Sequence, residues 1–107
     1  MRRTRTRRWD AAAHLGDESA RIAYLEAALD EGDPALVAAA LGDIARAKGM
    51  SEVAREAGLG RESLYKALSE KGNPELATVL RVVEALGLKL RPERAGRKRP
   101  AATTATR

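Results

Sequence analysis

The sequence predicts a small all-helical protein, a bundle of about five helices within 107 residues. Alanine and leucine dominate, while the chain contains no Phe, one Trp and two Tyr, a composition that favours helices. Glycines and prolines recur at intervals typical of short helices. A core of roughly 60 residues is marginal alone, so we expect dimerisation or a partner to add stability. A self-sufficient mini-bundle is the alternative.

The first half of the chain is divided by helix breakers. Residues 9–15 are expected to form one or two helical turns that end at Gly16. Asp17 is the expected N-cap of a helix that continues to about Glu31 and ends at Gly32. Its predicted apolar stripe repeats at helical spacing and comprises Ile22, Leu25 and Leu29.

A second helix is predicted from Asp33 and Pro34, an N-cap followed by a proline in the first turn. It should end near Lys48 and Gly49. Its predicted buried stripe comprises Val37, Leu41, Ile44 and Ala45.

Two short helices around a tight turn are predicted over residues 50–69. Ser51 is the expected cap of the first, Gly58 ends it, and Leu59 fills the corner between the two helices. A short helix with polar groups at its N-terminal end, braced by a preceding helix, is typical of the helix-turn-helix that enters a DNA major groove. The predicted apolar residues of the pair are Val53, Ala54, Leu64 and Leu68.

The last predicted helix begins at Asn73 and Pro74 and ends at Gly87. A short extended segment, residues 88–90, is expected to follow. The predicted buried face of this helix comprises Leu76, Val79, Leu80, Val83 and Leu86.

Charge divides the chain into four parts. Residues 1–8 carry five Arg and residues 94–107 carry five bases, with no acid in either, and we expect both to be disordered basic tails. Residues 9–33 carry seven acids and one base and form an acidic helical segment. Residues 34–93 carry nine bases and eight acids and form the predicted helix-turn-helix domain.

Several classes of function are disfavoured by what the sequence lacks. It has no Cys and one His, so we expect neither a disulfide framework nor a metal site. No nucleophile–base or phosphate-loop pattern is visible, so we expect no catalytic residues and no cofactor. No apolar run approaches the ~20 residues of a membrane span, and no apolar segment follows the Arg-rich start as in a signal peptide. We therefore expect a cytoplasmic protein that is not an enzyme.

The second helix of the pair carries the candidate DNA-reading residues. Arg61 has the fork geometry for guanine O6 and N7, and Glu62 can accept from cytosine N4 or cap the helix. Tyr65 is expected either to reach a phosphate or to pack in the domain. For Asn73 a helix cap is as good an interpretation as a phosphate contact, and for the two lysines a solvated charge is the alternative. The remaining candidates for base or phosphate contact are Ser51, Ser63, Lys66 and Lys71.

Three stretches resemble the addiction-module antidote proteins, HigA-like antitoxins with a Cro/Xre-type helix-turn-helix. They are residues 33–50, residues 60–69 (Gly-Arg-Glu-Ser-Leu-Tyr-Lys-Ala-Leu-Ser) with Gly-Asn-Pro at 72–74, and Ala-Leu-Gly-Leu-Lys-Leu at 85–90. The resemblance runs from about Trp9 to Leu90. It implies a type II antitoxin that neutralises a small RelE/ParE-superfamily toxin by direct binding and represses its own operon.

The acidic segment 9–33 is the candidate toxin-binding region. DNA repels its acids, whereas a basic protein surface attracts them. Aromatic residues dominate interface hot spots, so the predicted anchors are Trp9, Tyr24 and Leu25. The alternative is that this helix packs on the domain through its apolar stripe, with its acids in solvent.

The partners expected are operator DNA, the toxin and a second copy of the chain. A homodimer fits a palindromic operator with half-sites about one helical turn apart, and its surface is expected at the last helix and residues 88–90. Two other functions stay open: a stand-alone Xre-type transcriptional repressor, and a protein-interaction module that has lost DNA binding.

Overall fold

The computed structural model describes residues 15–69 and 71–95. Within them it contains five α-helices and no strand, which confirms the predicted all-helical class. Residues 1–8, the stretch from Trp9 and most of the second basic tail lie outside the described residues. The helices are α1 (Glu18–Glu31), α2 (Pro34–Lys48), α3 (Met50–Ala57), α4 (Arg61–Ala67) and α5 (Leu76–Ala85).

The predicted breaks between the first helices are confirmed. Asp17 precedes α1, although its side chain makes no capping hydrogen bond. Gly32 ends α1 at φ 72°, a left-handed conformation that glycine adopts without steric cost. Asp33 Oδ1 accepts a hydrogen bond from the Ala35 backbone N–H at 3.0 Å, and Pro34 is the first residue of α2.

Helices α2 and α3 form the centre of the bundle. Helix α1 packs on α2, and α3 packs on α2, α4 and α5. One buried cluster draws residues from all five helices and from Leu15. Its largest fully buried side chains are Leu41, Ile44, Leu64, Val53 and Val82.

A buried carboxylate ties α1 to α2. Asp43 is only 2% exposed, and its two oxygens accept from the Tyr24 hydroxyl at 2.6 Å and from the Arg46 guanidinium at 2.7 Å. A buried charge is tolerated when hydrogen bonds and a counter-charge replace its water. Tyr24 therefore has a structural role that its position in the sequence did not reveal.

We expect Asp43→Ala to lower the free energy of unfolding by about 1–3 kcal/mol, because it leaves the Tyr24 hydroxyl without this acceptor and opens a small cavity. Urea unfolding followed by circular dichroism measures the loss. Asp30→Ala is the matched control, since Asp30 is exposed on α1, and it should change stability by under about 0.5 kcal/mol. Equal stability of the two variants would contradict this role for Asp43.

The predicted buried face of the last helix is wrong in part. Val83 and Leu86 are buried as expected, but Leu76 is 68% exposed and Leu80 is 47% exposed. The core instead receives Val82. Apolar residues lie nearly all round α5, so the periodicity allowed two different stripes and packing selected one.

The stripe of α1 shows the same effect. Leu25 is buried together with Ala28, while Ile22 and Leu29 are 42% and 41% exposed. Helix α1 is rotated so that Tyr24 reaches Asp43. This rotation turns one edge of the predicted stripe towards solvent.

Two predicted caps are also wrong. Helix α3 begins at Met50 with Gly49 as its N-cap, so Ser51 lies inside the first turn. Helix α5 begins at Leu76 with Glu75 as its N-cap, and Asn73 lies in the loop before it. That loop follows a tight path, because a Cβ at Gly72 would overlap the carbonyl oxygens of Lys66 and Ala67.

The end of α2 is connected to α5 by a side chain. Lys48 Nζ donates to the carbonyl oxygen of Ala85 at 3.1 Å and lies 3.8 Å from a carboxylate oxygen of Glu56 on α3. A cation at a helix C-terminus is favoured by its free carbonyls.

Within residues 15–69 and 71–95, none of the helices is long and apolar enough to cross a bilayer.

Candidate functional site

Helices α3 and α4 form a compact pair around a three-residue turn. Gly58 adopts φ 72°, and the Leu59 N–H donates to the Ala54 carbonyl at 2.9 Å. Leu59 is half-buried against the core, as predicted for a corner residue. Leu64 and Leu68 are buried, so α4 is anchored by one face and presents the other to solvent.

The exposed face of α4 carries the predicted DNA-reading residues. Arg61 is its first residue, and Glu62 follows in the first turn. The Arg61 guanidinium lies 5.5 Å from the centroid of the Tyr65 ring, within the range of a cation–π contact. Tyr65 is 41% exposed. The structure thus places Arg61, Glu62, Ser63, Tyr65 and Lys66 together on one exposed surface, named here the α4 surface.

Three further predicted contact residues are exposed but lie outside α4. Ser51 lies in the first turn of α3, and Lys71 and Asn73 lie in the loop after α4. The sharp path of this loop at Gly72 keeps Lys71 and Asn73 next to the end of α4.

The predicted toxin anchors have different environments. Leu25 is 5% exposed and belongs to the core, and Tyr24 is half-buried with its hydroxyl on Asp43. Trp9 lies outside the described residues. The large apolar side chains that α1 leaves exposed are instead Ile22 and Leu29.

A groove of about 400 Å³ lies between α1 and the segment Gly87–Arg91. Its α1 wall includes Ile22, Leu25 and Leu29, and its opposite wall includes Leu88 and Leu90. Sequence reasoning did not find this groove, because its walls are about 60 residues apart in the chain. The one pointer to the groove is that part of the predicted apolar stripe of α1 is exposed, and that exposure is visible only in the structure.

A second apolar surface lies on α5. Leu76 and Leu80 are one helical turn apart and are the two most exposed large apolar side chains in the described residues. Ala77, Arg81 and Glu84 are also exposed on this helix. We name these five residues the α5 face.

In the described residues, no group of three or more His, Cys, Asp or Glu is placed to hold a metal ion.

Comparison with known proteins finds a family and a relative that this chain resembles. A family model described as "Probable addiction module antidote protein" matches residues 5–94. A protein from Haemophilus influenzae (strain Rd), described as an uncharacterized protein, is 52% identical over 80 residues, which are 75% of this chain and 82% of that protein. No solved structure matches the chain.

Proposed function

This chain belongs to the family of probable addiction module antidote proteins, and from this premise we propose that it is the antitoxin of a type II toxin–antitoxin module. It binds and neutralises a small RelE/ParE-superfamily toxin and represses its own operon through a helix-turn-helix. The observation that carries the proposal is the family match over residues 5–94. Two separate exposed surfaces, one on α1 and one on α4, support the division of the two tasks.

The toxin-binding task is assigned to α1. Its exposed charged side chains are Glu18, Glu26, Asp30 and Glu31, while its one base, Arg21, is half-buried and donates to the carbonyls of Leu15 and Gly16. A surface of one charge sign speeds association with a partner of the opposite sign. Exposed Ile22 and Leu29 add the apolar contact that such an interface needs.

Growth rescue tests the antitoxin proposal. The small open reading frame next to this chain's gene is expressed alone and together with the chain, both from inducible promoters; its product is called the neighbour protein below. We expect the neighbour protein alone to arrest growth, co-expression to restore growth, and the two proteins to co-purify. A neighbour protein without toxicity and without a complex favours the stand-alone Xre-type repressor instead.

The DNA-binding task is assigned to the α4 surface. Helices α3 and α4 have the length and turn of a helix-turn-helix, in which the second helix enters the major groove with its N-terminal residues on base edges. Arg61 is at that position, and its contact with the Tyr65 ring limits its side-chain freedom before binding. Ser51, Lys71 and Asn73 are exposed, and we assign them contacts with phosphates.

Arg61→Ala should lower affinity for the chain's own promoter DNA by about 1–3 kcal/mol, or roughly 5–150-fold, because it removes a bidentate contact to one base. Fluorescence anisotropy at fixed salt measures the change. Arg55→Ala is the matched control, an exposed arginine in the last turn of α3 with the same charge loss. An equal loss for both variants would mean that Arg61 contributes charge and not base recognition.

A homodimer is proposed to form through the α5 face. A twofold dimer presents two α4 surfaces to a palindromic operator. The α5 face carries exposed Leu76 and Leu80 together with one base, Arg81, and one acid, Glu84. Two copies of this face therefore meet with balanced charge.

A further inference from the structure

The groove between α1 and Gly87–Arg91 leaves apolar surface open to solvent. Ile22 and Leu29 are about two-fifths exposed at its α1 wall, and Leu88 and Leu90 are half-buried at the other. A concave apolar site in so small a protein is a typical binding site. Its volume of about 400 Å³ admits a few side chains of one segment, not a whole domain.

The two rims of the groove carry opposite charges. Glu18 and Glu26 lie on the α1 rim, and Lys89 and Arg91 lie on the opposite rim. All four side chains are exposed. A segment of uniform charge is therefore attracted by one rim and repelled by the other, whereas a segment with two unlike flanks is attracted by both and held in one orientation.

A second copy of this chain that sets its own groove or its own α1 against this groove is a poor occupant, because two concave grooves placed face to face leave each other unfilled. Pairing α1 with another α1 brings the exposed acids Glu18, Glu26, Asp30 and Glu31 against their own copies, and like-charge contacts are destabilising. The α5 face differs, because Arg81 and Glu84 balance one another. The acids of α1 thus disfavour α1-on-α1 pairing, the concave shape of the groove favours a protruding segment of a different protein, and the balanced charge of α5 favours self-association there.

We propose that the groove is the docking site for a single amphipathic segment of the toxin. The segment presents an apolar ridge to Ile22 and Leu29, a basic flank to Glu18 and Glu26, and an acidic flank to Lys89 and Arg91. This inference rests on the proposed antitoxin function, and it adds the site and the chemistry of the docked segment.

The apolar part is tested with the double variant Ile22→Asp/Leu29→Asp and the neighbour protein as probe. Both side chains are accessible, so the fold should persist, and circular dichroism and promoter binding verify this. Leu36→Asp is the matched control, because Leu36 is 42% exposed on α2 and does not line the groove. We expect the double variant to lose affinity about 30-fold or more and the control to stay within about threefold of wild type.

A gentler pair, Ile22→Ser/Leu29→Ser, keeps the test valid if the aspartates unfold the chain. It should also weaken the complex, while Leu36→Ser should not. Wild-type affinity in a folded groove variant overturns the docking site and leaves the antitoxin function standing. The absence of any complex with the wild-type chain overturns both.

Charge reversal tests the two flanks. We expect Glu18→Lys/Glu26→Lys and Lys89→Glu/Arg91→Glu each to weaken binding of the neighbour protein about 10-fold or more. Each reversal gives a rim of the groove the same charge as the flank of the toxin segment that it faces, and the two repel. A uniformly basic partner gives a different pattern, in which Lys89→Glu/Arg91→Glu strengthens binding. That second pattern would overturn the proposed two-flank segment.

Discussion

Leu80→Glu is expected to disrupt the homodimer proposed at the α5 face and to lower affinity for the proposed operator about 100-fold or more. The proposed dimer contact at the α5 face buries two accessible leucines, Leu76 and Leu80. A buried, unpaired carboxylate at either position is strongly unfavourable in an interface. A dimer binds two half-sites at once, and this linkage is worth about 10²–10⁴ in affinity over one half-site. Size-exclusion chromatography with light scattering measures the mass, and anisotropy measures operator affinity.

The control for this variant is Leu36→Glu. Leu36 has nearly the exposure of Leu80, 42% against 47%, but lies on α2. We expect the control to keep wild-type mass and operator affinity. A Leu80→Glu protein that remains a dimer would mean that the copies meet elsewhere.

Gly42→Val is expected to lower the free energy of unfolding by about 3 kcal/mol or more, with Gly42→Ala intermediate. A Cβ at this position would lie 2.7 Å from the Leu68 carbonyl oxygen and 3.4 Å from its Cβ, so the end of α4 must move away from α2. Overpacking of this kind costs about 1–3 kcal/mol or more. Replacement of glycine by alanine in a helix interior normally stabilises a protein by about 0.5–1 kcal/mol. A loss of stability in Gly42→Ala would therefore itself indicate a steric clash.

Gly16 provides the comparison for that series. A Cβ there meets nothing within 4 Å, and the residue has no positive φ. Gly16→Ala should therefore be neutral or slightly stabilising in the same urea titration. If Gly42→Ala and Gly16→Ala changed the free energy of unfolding equally, α2 and Leu68 would not be packed as closely as the structure shows.

The helix order and most helix ends could be predicted from sequence. Gly32 and Gly58 adopt left-handed conformations where the chain turns, and Asp33 caps α2 with its side chain. These features depend on local backbone energetics, which a sequence displays directly. The predicted N-terminus of α5 was two residues too early, because residues 72–75 belong to the loop and Glu75 is the N-cap.

The rotation of a helix about its axis was harder to predict. Helix α5 has apolar residues on nearly every side, and its packing on α3 accompanies the selection of Val82 over Leu76 for the core. Helix α1 turns Tyr24 inwards to a carboxylate 19 residues later in the chain. Both rotations depend on partners that are distant in sequence, and they create the two exposed apolar surfaces.

The candidate DNA-contacting residues were easier to place than the toxin-binding ones. Arg61 and its neighbours follow a glycine turn and have polar side chains with no role in the core, so local pattern predicts their exposure. The groove requires Leu88 and Leu90 to lie opposite Ile22 and Leu29. No local pattern connects these two segments.

Growth rescue by two variants tests whether separate surfaces of the chain bind the toxin and the operator. The chain is expressed from a heterologous promoter, so that repression of its own operon plays no part, together with the neighbour protein. We predict that Arg61→Ala restores growth as well as wild type, while Ile22→Asp/Leu29→Asp fails to restore it although the protein accumulates and still binds promoter DNA. Rescue by the groove variant would mean that the groove is not needed for toxin binding, and failure of Arg61→Ala would mean that the α4 surface takes part in it.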